Sequence, residues 1–180
     1  IARSLGVFRL ARWLTRHQLR VLCYHGAALV DEHAFRGGLF ISPARFRRRL
    51  EYLARARYPV LELGAAVVKL RDGSLPANAT AITIDDGWVG TATEMAPALH
   101  AHRFPATLYV ATYYVEKQTQ IFNVGVDYVL WRAAPQRLAL EDIDPGLHGC
   151  YDIGVPTARE QVSAALIERA AELPDAVDRQ

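Results

Sequence analysis

Several residue types are scarce in this 180-residue chain, and each shortage excludes a class of protein. The chain has two cysteines, Cys23 and Cys150, which excludes a disulfide-rich scaffold and a cysteine-based zinc finger. No apolar run approaches the roughly 18 residues of a membrane-spanning helix, so we predict no transmembrane segment. The chain begins at Ile1 rather than at methionine. We therefore expect a native N-terminus upstream, and the cellular compartment stays open.

Lysine is nearly absent, and the basic charge that arginine supplies is unevenly distributed. Lys69 and Lys117 accompany 19 arginines, and the net charge of the whole chain is +2. Residues 1–57 carry a net charge of +9, whereas the remainder carries −7. A basic segment of this kind could contact a nucleic acid or an anionic membrane surface. We interpret it as a solvated helix face and predict no nucleic-acid partner.

Short apolar segments alternate with helical patterns in the first 111 residues, which is typical of parallel βαβ units. Strands are predicted at residues 21–24, 60–63, 80–84 and 106–111. Helices are predicted at residues 1–18, 43–58, 64–71, 88–102, 121–132 and 158–173. Ser42 is the expected N-cap of the second helix, and Pro97 is expected to kink the fourth. Residues 26–41 and 141–156 are interpreted as loops.

The most informative feature is a pair of adjacent acids, Asp85 and Asp86, directly after the predicted strand at 80–84. Ligands of parallel α/β folds bind at the carboxyl ends of the strands. Two adjacent carboxylates repel each other, so one must be neutralised by a proton or by a metal ion. One carboxylate would then bind the ion, and the other would act as a base toward a bound water. A plain turn before Gly87 is the alternative interpretation.

Histidine supplies a second candidate site residue at a strand end. His25 follows the predicted strand 21–24, and it would lie on the same rim as Asp85 if the two strands are parallel. A structural role and a functional role for His25 are both open at this point. Residues 31–33 (Asp-Glu-His) resemble a metal cluster, but they lie in a predicted loop and are interpreted as solvated surface.

Several segments, taken in order over residues 1–132, resemble those of one known family. They are residues 22–25 (Leu-Cys-Tyr-His), 42–50 (from Ser-Pro to Leu), 71–76 (Arg-Asp-Gly-Ser-Leu-Pro), 83–88 (Thr-Ile-Asp-Asp-Gly-Trp) and 104–110 (Phe-Pro-Ala-Thr-Leu-Tyr-Val). The sequence is similar to the polysaccharide deacetylases with a NodB-type homology domain. This resemblance implies an α/β fold, a distorted (β/α) barrel. Residues 1–112 would form its front half, and residues 113–180 a helical and loop insertion.

The resemblance also implies a chemistry, namely the removal of acetyl groups from N-acetylated sugars with a divalent metal, expected to be zinc. By the same resemblance, Asp85 would be the general base and Asp86 a metal ligand. Roles in substrate binding, or in supporting these groups, are expected for Tyr24, His25 and Trp88. The expected partner is therefore an N-acetylated carbohydrate.

The chain departs from the family in its histidines. The family binds its metal with two further histidines spaced four residues apart, and no two of the six histidines here have that spacing. We expect the chain to be the front part of a longer protein, with the further histidine ligands beyond Gln180. Alternatively, it has lost the chemistry and serves as a carbohydrate- or partner-binding module. Candidate stacking surfaces would then be Tyr24, Trp88, Tyr113 and Tyr114.

Overall fold

The computed structural model describes residues 7–172, and the chain divides into two compact units, Ile1–Ala111 and Thr112–Gln180. Residues 1–6 of the first predicted helix and residue 173 of the last lie outside the described residues. The predicted fold class is confirmed, because helices alternate with parallel strands in the first unit. The predicted boundary between a front half and an insertion stays a prediction.

The first unit contains two parallel sheets. Its strands are β1 (Arg20–Tyr24), β2 (Gly26–Ala27), β3 (Phe40–Ile41), β4 (Thr80–Ile84) and β5 (Thr107–Leu108). The larger sheet has the order β1-β4-β5, and β2 pairs with β3 in the smaller one. Tyr24 lies opposite Ile84, and Thr83 lies opposite Thr107. The predicted parallel pairing of residues 80–84 with residues 106–111 is confirmed, although β5 is shorter than expected.

Two expectations about extended and loop segments were wrong. Residues 60–63 form a single bridge, between Val60 and Thr80, instead of a strand. The reason is local, since the carboxylate of Glu62 accepts hydrogen bonds from the backbone N–H groups of Gly64 and Ala65, both at 2.8 Å. This cap starts a helix at Leu63. Residues 26–41 are not a plain loop either, because they contain β2, β3 and a helical turn.

The helices of the first unit largely follow the sequence pattern. They are α1 (Val7–Leu14), α2 (Glu32–Phe35), α3 (Pro43–Arg55), α4 (Leu63–Arg71) and α5 (Ala96–His102). Ser42 caps α3 as predicted, since its side chain accepts a hydrogen bond from the backbone N–H of Arg45 at 3.4 Å. A π-helical turn, Thr91–Met95, precedes Pro97. Because proline has no N–H to continue the helical ladder, this turn accounts for the predicted irregularity.

The core of the first unit covers one face of the β1–β4 pair. Leu22, Tyr24, Ile82 and Ile84 alternate along the two strands and belong to one apolar cluster. The helical side chains in this cluster are Phe46, Leu50, Leu53, Ala98 and Leu99. Successive side chains of a strand point to opposite faces. The intervening positions, including Cys23 and Asp85, therefore belong to the face that these helices do not cover.

Gly90 packs so closely against the backbone of Ala27 that a larger residue there is expected to destabilise the fold. A Cβ atom at Gly90 would overlap the carbonyl oxygen of Ala27 and lie 2.9 Å from its carbonyl carbon. We expect Gly90→Ala to lower the free energy of unfolding by about 1–3 kcal/mol, because backbone must move. Gly38→Ala is the matched control, since a Cβ there meets nothing within 4 Å. Urea unfolding curves that coincide for the two variants would contradict the close contact.

The second unit contains a helical pair and a small hairpin. Its elements are α6 (Thr112–Lys117), α7 (Phe122–Ala133), β6 (Arg137–Ala139), a 3-10 turn (Leu140–Asp142), β7 (Cys150–Asp152) and α8 (Pro156–Glu172). The helix predicted at residues 121–132 is confirmed, and so is the helix predicted at residues 158–173 as far as residue 172. The prediction of a loop over 141–156 was wrong in part, because β7 pairs antiparallel with β6. Leu130, Leu140, Ile153 and Val162 form the buried core of this unit.

Between residues 7 and 172, no helix combines the length with the apolar character necessary for crossing a membrane.

Candidate active site

The parallel register brings His25 and Asp85 to the same edge of the sheet. Tyr24 is the last residue of β1, Ile84 is the last residue of β4, and the two are paired. The backbone N–H of Asp85 donates to the carbonyl of Tyr24 at 2.9 Å, which extends the pairing by one residue. His25 Nε2 lies 4.0 Å from Asp85 Oδ2, with about a third of each side chain exposed. The structure thus places both predicted residues on one rim.

Asp85 has a further neighbour that the sequence reasoning missed. The thiol of Cys23 donates a hydrogen bond to Asp85 Oδ2, with an Sγ–Oδ2 distance of 3.2 Å. This hydrogen bond to a carboxylate is the main cause that raises the pKa of Cys23 above its usual value. The two-residue alternation of β1 was the available signal, because it places Cys23 on the same face as His25.

Asp86 lies in a tight turn and has a different partner from Asp85. Its φ of 70° and the φ of 82° at Gly87 are left-handed, and they reverse the chain immediately after the strand. The Gly87 N–H donates to the Asp85 carbonyl at 2.9 Å. Trp88 Nε1 donates to Asp86 Oδ2 at 3.0 Å. The segment is therefore a turn, and the two carboxylates accept hydrogen bonds from different donors, Cys23 for Asp85 and Trp88 for Asp86.

The indole of Trp88 is held by the smaller sheet. It meets the ring of Phe40 on β3 edge-on, with 5.0 Å between ring centroids. A Cβ at Gly26 would lie 3.1 Å from both aromatic rings, so glycine allows this close approach. Trp88 is half-buried. Its position is thus fixed by packing on one side and by the hydrogen bond to Asp86 on the other.

Tyr24 does not present the stacking surface that the binding-module alternative requires. Tyr24 is only 6% exposed, and its ring packs edge-on against Phe46 at a centroid distance of 5.0 Å. The physical reason is the strand alternation, which turns Tyr24 toward the helices and Cys23 away from them. Of the other two aromatic candidates, both in the second unit, Tyr113 is exposed and contacts Tyr114 edge-on.

A cavity of about 200 Å³ adjoins the end of β1. Its lining includes Cys23, His25, Phe40, Arg45 and Arg49. The two arginines lie one turn apart on α3, so they extend from the same side of that helix. The cavity therefore combines the polar end of the strand with cationic side chains.

The donor atoms present do not complete the metal site that the family resemblance implies. In the described part of the chain, one group of three potential ligands has its donor atoms within 4.8 Å of one another, namely Cys23, His25 and Asp85. Asp86 is not a member of this group. A catalytic zinc ion normally takes three protein ligands, and residues 7–172 supply only the Asp86 carboxylate of the implied set.

Several solved structures are similar to this chain over part of its length. The deacetylase PplD of Streptococcus pyogenes, solved in complex with acetate, has 21% identity and a TM-score of 0.50 over 61% of this chain and 50% of that one. A de-N-acetylase from Aggregatibacter actinomycetemcomitans has 21% identity and a TM-score of 0.47 over 54% and 39%. IcaB from Ammonifex degensii has 25% identity and a TM-score of 0.42 over 51% and 37%.

The chain thus spans half or less of the length of these solved structures. No curated protein matches it in sequence. The family model described as polysaccharide deacetylase matches residues 72–164, slightly more than half of the chain, and this match includes the acid pair. The chain belongs to the polysaccharide deacetylase family.

Proposed function

We propose that the protein carrying this chain is a metal-dependent hydrolase that removes acetyl groups from the N-acetylated sugars of a glycan. The observation that carries the proposal is the position of Asp85, a partly exposed carboxylate at the carboxyl end of a buried parallel strand. Family membership supports the reaction class. Since the chain covers only part of its structural relatives, the proposal concerns the whole protein.

The proposed role of Asp85 is to accept a proton from the attacking water. Cys23 and His25 both approach Oδ2, which leaves the lone pairs of Oδ1 for a water molecule. As the water oxygen adds to the acetamide carbonyl carbon, its proton moves to Asp85. The carbon–nitrogen bond then breaks, the sugar nitrogen takes up a proton, and acetate and a free amine are formed.

Asp86 is proposed as one ligand of the divalent cation, for which zinc is the expected ion. The hydrogen bond from Trp88 Nε1 would fix the orientation of this carboxylate, as outer hydrogen bonds commonly do for metal ligands. The described residues do not supply the remaining ligands of this cation. His25 and Trp88 are proposed to support the two carboxylates rather than to react.

The test is acetate release from N-acetylated oligosaccharides by the full-length protein. We expect acetate and free amine in equal amounts, loss of the activity with a chelator, and recovery with Zn²⁺. Calorimetric binding of the same oligosaccharides without acetate release would contradict the proposal and would favour a carbohydrate-binding module. Activity unaffected by exhaustive chelation would contradict the metal dependence alone.

A further inference from the structure

We propose that Cys23, His25 and Asp85 form a binding site for a thiophilic divalent cation such as Zn²⁺, distinct from the metal site proposed on Asp86. The site combines a thiol, an imidazole and a carboxylate, which are the three kinds of side-chain donor that zinc favours. Two of them come from the end of β1 and the third from the end of β4, so the parallel pairing of these strands assembles the site.

The distances are close to those that one ion requires. With metal–sulfur and metal–nitrogen or metal–oxygen bonds of about 2.3 and 2.0 Å, tetrahedral ligands lie roughly 3.3–3.5 Å apart. Cys23 Sγ and Asp85 Oδ2 are already 3.2 Å apart, and His25 Nε2 is 4.0 Å from the same oxygen. All three donor atoms lie within 4.8 Å of one another. Small side-chain rotations therefore suffice to close the triangle around an ion.

The surroundings allow an ion to enter and keep an open coordination position. Cys23 is exposed, and His25 and Asp85 are each partly exposed. Cys23 and His25 also line the adjoining cavity. Three protein ligands with water in the fourth position are a common arrangement for zinc. On binding, the thiol proton that Asp85 now accepts passes to the buffer, and the metal takes its place between sulfur and oxygen.

The choice of a thiophilic ion follows from the sulfur. Thiolate ligands favour zinc and other soft or borderline metals, whereas magnesium and calcium prefer oxygen ligands only. One consequence rests on the proposed function, because the same Asp85 carboxylate is the proposed base. An ion bound at Asp85 Oδ2 would draw electron density from the carboxylate and make Oδ1 a weaker base, so occupancy of this site would inhibit deacetylation while the Asp86 site stays available.

Cobalt(II) is a suitable probe because it replaces zinc and gives a near-ultraviolet charge-transfer band only when a thiolate binds it. Titration of the 180-residue chain with Co²⁺ is expected to produce this band with one equivalent, and Zn²⁺ is expected to remove it. Cys23→Ser should abolish the band. Cys150→Ser is the matched control and should retain it, since Cys150 is not among the three clustered ligands. Circular dichroism checks that each variant is folded.

Two further variants separate this site from the one on Asp86. His25→Ala should weaken Co²⁺ binding by roughly tenfold or more. Loss of a metal ligand lowers the affinity for the metal at least as much as loss of a residue that is hydrogen-bonded to a ligand. Asp86→Asn should leave the thiolate band unchanged. The proposal is overturned if the band persists in Cys23→Ser, or if Asp86→Asn removes it. These readouts measure binding alone, so they are independent of whether the protein deacetylates glycans.

Discussion

The Asp85→Asn variant of the full-length protein is expected to lose acetate-releasing activity by roughly 10²–10⁴-fold, the usual contribution of a general base. Asparagine keeps the shape of the side chain and can still accept the hydrogen bond from Cys23. It cannot take a proton from water. The measurement is the rate of acetate release at saturating oligosaccharide, which reports the chemical step rather than binding.

Asp142→Asn is the matched control, because Asp142 is an exposed acid in the second unit. A second readout tests the local geometry in a Cys150→Ser background, where Cys23 is the only cysteine left. The Asp85 carboxylate raises the pKa of Cys23. The Asp85→Asn substitution should therefore lower the pKa of Cys23 and speed alkylation of its thiol at mildly basic pH. A full deacetylation rate in Asp85→Asn would show that Asp85 is not the base.

The Phe46→Ala variant is expected to lower the free energy of unfolding by about 3–5 kcal/mol. Phe46 is 1% exposed and joins α3 to the sheet through its edge-on contact with Tyr24. Truncation removes this contact and leaves a cavity beneath the strand that carries Cys23 and His25. Urea unfolding followed by circular dichroism measures the change.

Phe8→Ala removes the same aromatic group from a surface helix, where 65% of the side chain is exposed. Its free energy of unfolding should change by no more than about 0.5 kcal/mol. Similar losses for the two variants would show that α3 does not carry the core of the first unit.

The features that sequence reasoning predicted well are those with a long or strongly local pattern. The segment 80–84 combines β-branched and apolar residues before two acids, and it is a fully buried strand. The serine and proline before α3 form a recognised helix start, and the cap is present. Recognition of the family came from segments distributed around these elements, and the family match confirms it.

The features that were missed depend on contacts between distant residues. β2, β3 and β5 have two residues each, too few for a two-residue period to be detected. The pairing of β6 with β7 depends on two short segments meeting, so neither could be identified alone. Cys23 lies within the predicted strand at residues 21–24, and its partner Asp85 becomes apparent only when the register of β1 and β4 is known.

The register of β1 and β4 also has a consequence for how quickly the site is assembled during folding. Tyr24 and Ile84 pair across 60 positions of sequence, whereas α3 and α4 require only neighbouring residues. Helices form within about a microsecond, but pairing of distant strands must first overcome the entropy of closing a long loop. During synthesis, Cys23 and His25 therefore emerge before Asp85, and the site cannot form until the intervening residues have been synthesised. The encounter of β1 with β4, rather than formation of those helices, is expected to set the rate at which the site appears.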